Sequence, residues 1–191
     1  MERLWNDLIN ALTQPKELFA RLRESPSVLM GIVIPVVAQA VSGATGGGPV
    51  SAPLQANAIR LGPMGWLVDA LAMVALLLVG ALIIHGVARM LGGDGSYAGA
   101  LSALGFASTP ILLYAPFLVV SVVTGWFVLA ALAQFVLNLW SLILDVIAVR
   151  TVYRFSTARA VGALLLGFIG IGVVGGIAMI IVLGATVATE F

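Results

Sequence analysis

Five long apolar stretches constrain this chain more than any motif within it. They run from about Ser27 to Thr45, Gly65 to Leu91, Ala98 to Gly125, Trp126 to Val149 and Val161 to Ala188. Each is long enough to cross ~30 Å of hydrocarbon as a helix. Hydrophobic residues make up 61% of the chain and charged residues 9%, against roughly 45–50% and 25% in ordinary globular proteins, so lipid must solvate most side chains. The expected fold is all-α: a cytoplasmic amphipathic segment over residues 1–26, then a five-transmembrane-helix bundle over residues 27–191.

Orientation follows from the preference of Lys and Arg for cytoplasmic loops. With the N-terminus inside, Arg3, Lys16, Arg21, Arg23, Arg89, Arg150, Arg154 and Arg159 all fall on the cytoplasmic side, leaving only Arg60 outside. Trp66 and Trp126 then open spans at the outer face, as an interfacial aromatic belt would. Glu190 and Phe191 end outside. Arg outnumbers Lys by eight to one amid abundant Ala, Gly, Val and Leu, a usage typical of GC-rich bacterial genomes, which makes the inner membrane the expected location. Ala38-Gln39-Ala40 has the form of a leader cleavage site. The long mixed-charge segment before it reads instead as structured, and no cleavage after Ala40 is expected. The chain has no cysteine, which excludes disulfides and thiolate metal sites.

Within the N-terminal segment Leu4, Trp5, Leu8, Ile9 and Leu12 recur at helical spacing, giving one apolar face. Pro15 suits the first turn of a second helix. There Leu18, Phe19 and Leu22 form the apolar side, while Lys16, Arg21 and Arg23 face headgroups. Two short inner-leaflet helices are expected, with Trp5, Leu8, Phe19, Lys16, Arg21 and Arg23 at the lipid surface. They either pack under the bundle or sense lipid and curvature.

Polar groups inside spans are costly unless paired or wet, so they point to function or to helix association. At about 100° per residue, Gln134, Asn138, Ser141 and Asp145 lie at about 0°, 40°, 340° and 20° on the fourth span, a single face expected to point inward. His85 and Arg89 share a face of the second span, at what the spacing suggests is the depth of Asp145. A pairing of Asp145 with Arg89 or His85 would neutralise both helices. Such a stripe is either interhelical glue or a proton or ion pathway. Asp69, near the outer end of the second span, reaches the interface or a loop partner.

Pro110 and Pro116 should kink or break the third span. Transporters use such breaks, but no internal repeat accompanies this one. Gly172-x-x-x-Gly176 in the last span invites close helix contact, within the bundle or with another subunit. The turn Leu91-Gly92-Gly93-Asp94-Gly95-Ser96 lacks the Gly-Lys-Ser/Thr ending of a phosphate loop and reads as a helix C-cap. One His, no Cys, and no His-Glu-x-x-His or Gly-x-Ser-x-Gly leave no recognisable hydrolase. No cofactor, metal or nucleic-acid partner is expected.

The order of several elements is more specific than any one of them. Pro15 and Phe19 precede the first span; Gly92, Gly93, Gly95 and Tyr97 open the third; Gly105 to Pro110 lie within it. Trp140 follows in Leu139-Trp140-Ser141-Leu142, and Tyr153, Ser156, Arg159 and Ala160 link the last two spans. This order resembles the prokaryotic branch of the Yip domain family, the Ypt/Rab-interacting membrane proteins. The resemblance implies a five-helix membrane domain with a cytoplasmic N-terminus, in contact with membrane lipids and associating as a homo-oligomer or with other membrane proteins. Eukaryotic members resemble trafficking proteins that bind Rab GTPases and shape membranes. This chain lacks their long soluble N-terminal region and Asp-Leu-Tyr-Gly-Pro element, so no Rab-type partner is expected. The expected function is a non-enzymatic membrane scaffold or adaptor. The alternative is a small transporter, channel or lipid-moving protein using the fourth-span face.

Overall fold

The computed structural model describes residues 2–43 and 63–188, all helices and turns. In chain order these are α1 (Glu2–Thr13), α2 (Pro15–Glu24), α3 (Val28–Gly43), α4 (Pro63–Met90), α5 (Tyr97–Ala107), a 3-10 segment (Thr109–Leu113), α6 (Tyr114–Thr124), α7 (Phe127–Tyr153) and α8 (Thr157–Ala188). The connection holding Arg60 lies outside the described residues, as do the side chains of Trp66 and Asp69.

Helix ends follow local chemistry. Pro15 opens α2, where its missing N–H costs nothing. Ser96 caps α5, its Oγ accepting from the Gly99 N–H at 3.1 Å. The third apolar stretch breaks as expected. Pro110 sits in the first turn of the 3-10 segment and Pro116 in the first turn of α6, where no intrahelical donor is lost. Gly125, at φ +75°, reverses the chain tightly into α7.

Among the described residues, four helical stretches are long and apolar enough to cross a membrane, over Ala70–Met90, Tyr97–Thr124, Phe127–Tyr153 and Thr157–Ile177. The first apolar stretch is the exception to the five spans expected. Its 16 described helical residues extend only about 24 Å at about 1.5 Å per residue, short of the hydrocarbon thickness.

Helix α5 forms the centre, buried at every position from Gly99 to Ala107. It is surrounded by α2, α3, α4 and α7, while α8 packs against α4 and α7. The closest crossing joins α3 to α5. A Cβ on Gly31 would stand 2.7 Å from Ser102 Cα, and one on Gly105 would stand 2.5 Å from Gly31 Cα with the Gly31 carbonyl oxygen closer still. Pro35, inside α3, explains why that carbonyl is available. A proline cannot donate to the residue four positions earlier, so Gly31 O loses its helical partner and meets the bare face of Gly105 instead. The α4–α8 contact likewise places Gly167 against Ile84 and Gly170 against Ile83.

Candidate functional site

The densest polar arrangement lies where the α4–α5 turn meets the α7–α8 turn. Gly92, at φ +82°, ends α4, and the Gly93 N–H bonds back to Ala88 O at 2.9 Å. Arg154, at φ 56°, ends α7 the same way, with the Phe155 N–H bonded to Arg150 O at 3.0 Å. Both are left-handed closures that satisfy terminal carbonyls. The two turns are pressed together. An added Cβ at Gly93 or Gly95 would lie 2.8 Å from the Tyr153 ring, and at Gly95 also 2.8 Å from Val152 O.

This contact assembles a small aromatic and polar knot. His85 Nδ1 and Tyr153 Oη are 2.7 Å apart. The His85 ring meets Tyr97 edge-on at 5.9 Å, and Tyr153 stacks on Phe155 at 5.8 Å. The Tyr97 hydroxyl donates to Leu78 O at 3.0 Å, and Arg89 donates to Gly93 O at 3.2 Å. Three spans are thereby pinned at one end.

A charged node sits beside the knot. Asp94 accepts from Arg23 of α2 at 3.1 Å, and its carboxylate lies 3.6 Å from Arg154 Nη1. Asp7 of α1 pairs with Arg21 of α2. The Asp94 pairs tie α2 and the end of α7 to the α4–α5 turn, and the Asp7 pair ties α1 to α2; exposed pairs like these are worth little individually. In sequence the Gly-rich turn reads as a cap, which passes over Asp94; the signal for it is an acid between two turn glycines with arginines at the neighbouring helix ends.

The α7 face divides. Ser141 points inward and donates to Ala107 O at 2.6 Å, filling a carbonyl left open where α5 breaks. Gln134 and Asp145 are half-buried at the edge of the packed face, and Asn138 is exposed. Of the four, Ser141 packs inward, Gln134 and Asp145 are partly covered and Asn138 faces outward. The Asp145 pairing with Arg89 or His85 does not form: His85 meets α7 at Tyr153, eight residues from Asp145 and about 12 Å further along the axis. Among the described residues Asp145 has no ion-pair partner.

The N-terminal helices also divide. Phe19, expected at the lipid surface, is 0% exposed; with Leu18 and Leu22 it enters the main core, because α2 lies against α5 and α7. Leu8 is half-buried and packs on the same core. Trp5, at 65% exposure, and Ile9, at 42%, form the outer rib of α1. Lys16 and Arg21 are exposed and Arg23 is partly covered.

The remaining motif residues take structural positions. Pro110 and Ala160 are buried. Ser156 Oγ accepts from the Arg159 N–H at 3.4 Å at the start of α8, with Arg159 itself exposed. Trp140 lies on the outer surface of α7. A Cβ added at Gly172 or Gly176 would meet nothing within 4 Å among the described residues.

Long apolar helices around a buried, glycine-packed centre define an integral membrane protein of the multi-pass helical class. The Yip1 domain matches residues 9–180, and the chain belongs to that family. No curated protein and no solved structure matches it.

Proposed function

We propose that this protein is a non-enzymatic membrane-organising scaffold or adaptor, in which a rigidly mounted amphipathic helix acts on one leaflet. In this reading α3, continued beyond its described end, supplies a fifth span. The N-terminus is cytoplasmic, the C-terminus is outside, and the host membrane is a bacterial inner membrane.

The exposed Trp5 and Ile9 rib carries the proposal. It sits on a hairpin whose other helix is buried in the bundle through Leu18, Phe19 and Leu22. An apolar wedge fixed to spanning helices transmits its insertion to the membrane without a hinge. The test is reconstitution of the full chain into liposomes, with vesicle size and curvature read by light scattering and electron microscopy. Wild type should narrow and remodel the vesicles, and Trp5→Ala with Ile9→Ala should remove the effect while leaving the melt unchanged. Unaltered vesicles with wild type would end the proposal.

Asp145 favours one other reading, transport along the α7 edge beside the broken third span. An unpartnered carboxylate at membrane depth is costly. A pH-dependent flux lost in Asp145→Asn would support transport; no flux under any applied gradient would remove it.

A further inference from the structure

We infer that the cleft between α2 and the end of α7 binds the headgroup phosphate of an anionic phospholipid. Lys16 projects from the first turn of α2, and Arg150 and Arg154 from the end of α7. With Thr151 and an apolar floor of Ile147 and Phe155 they line an open hollow of about 340 Å³. No acidic residue lines it.

Three observations point to a phosphate ligand. Lys16 and Arg150 form no ion pair among the described residues, and Arg154 is held only by Asp94 at 3.6 Å. Three cations from two separate helices converge on one space, and with Asp94 reaching Arg154 alone among them, Lys16 and Arg150 leave positive charge for water to screen. Arg150 and Arg154 carry forked donors suited to phosphate oxygens, Lys16 supplies a mobile point charge, and Thr151 offers a hydroxyl.

Location selects the source of that phosphate. The hollow stands where a 27-residue apolar helix ends, which is the depth of lipid headgroups. Its floor is apolar, so Ile147 and Phe155 can contact the upper acyl chain or glycerol while the cations hold the phosphate. A basic hollow between helices at that level fits an anionic lipid better than a free anion, which has no use for an apolar floor. The inference uses only the membrane class of the protein and is independent of the scaffold reading.

The experiment is titration of the full chain in neutral detergent with short-chain phosphatidylglycerol, short-chain phosphatidylcholine and inorganic phosphate, with bound species counted by native mass spectrometry. Phosphatidylglycerol should bind more tightly than phosphatidylcholine. Lys16→Gln and Arg150→Gln should each weaken it about fivefold, and together about 25-fold. Arg150→Lys should recover most of the single loss. Arg159→Gln removes an exposed cation outside the hollow and should leave binding unchanged. Equal loss in Arg159→Gln, no loss in Arg150→Gln, or equal binding of phosphatidylcholine would overturn the site. Inorganic phosphate binding as tightly as the lipid would overturn the lipid as its source. Circular dichroism and melting of each variant, all at surface positions, show that the fold is intact.

Discussion

Replacing Gly105 with alanine tests whether the bundle depends on the backbone contact between α3 and α5. The new Cβ would stand 2.5 Å from Gly31 Cα, whereas ordinary contact begins at 3.4 Å, so the helices must separate by at least about 0.9 Å. Both sides of the contact are backbone, and no rotamer change relieves it. A buried side chain makes about 40–60 atomic contacts of about 0.1 kcal/mol, and a gap of this size forfeits a quarter to a half of each, about 1–3 kcal/mol for Ile34 alone. Ile34 and Ala38 both lie buried on α3. The expected loss is about 3 kcal/mol, at the upper end of overpacking penalties. The assay is reversible unfolding of the full chain in mixed micelles, followed by Trp fluorescence and far-ultraviolet circular dichroism. Gly31→Ala, with its Cβ 2.7 Å from Ser102 Cα, should behave similarly. Gly162→Ala, which meets nothing within 4 Å, should be neutral or gain up to about 1 kcal/mol from helix propensity. If Gly105→Ala were as stable as Gly162→Ala, the reasoning about the α3–α5 seam would be wrong.

Other substitutions separate the remaining contacts. Tyr153→Phe removes the partner of His85 and should cost about 0.5–1.5 kcal/mol in the same unfolding assay, with a shift in the His85 ring resonances. Asp94→Asn releases Arg23 and Arg154 from an exposed carboxylate. Its cost should stay below about 1 kcal/mol, shrink in high salt, and appear as faster proteolysis of the N-terminal hairpin. Asp145→Leu removes an unpartnered acid from membrane depth and should stabilise the bundle by about 1–3 kcal/mol; destabilisation would show that Asp145 has a structural partner.

Much of the fold was legible because the strongest signals are local. Apolar length located the four long spans, Pro110 and Pro116 located the break, and Pro15 and Gly92 marked helix ends. Each depends on a residue's own backbone chemistry, which survives without knowledge of neighbours. Phe19 is buried rather than lipid-facing for a reason that lies outside its own helix. Helical periodicity shows that α2 has an apolar face, but α5 and α7 decide whether lipid or protein covers it.

The candidate site was harder to read because depth and rotation are set between helices. Counting residues from span ends puts His85 and Asp145 at one depth, yet His85 contacts Tyr153, about two turns nearer the end of α7. Tyr153 is directed there because Gly93 and Gly95 admit its ring against the α4–α5 turn. The motif glycines are therefore the clearance that lets one aromatic ring fix the register of α7 against α4. Once that register is set, Asp145 lies too deep to reach Arg89, while Arg150 and Arg154 emerge beside Lys16. The same contact that leaves the acid unpaired gathers the three cations around one hollow, so Tyr153 is the residue on which both the transport reading and the phosphate site depend.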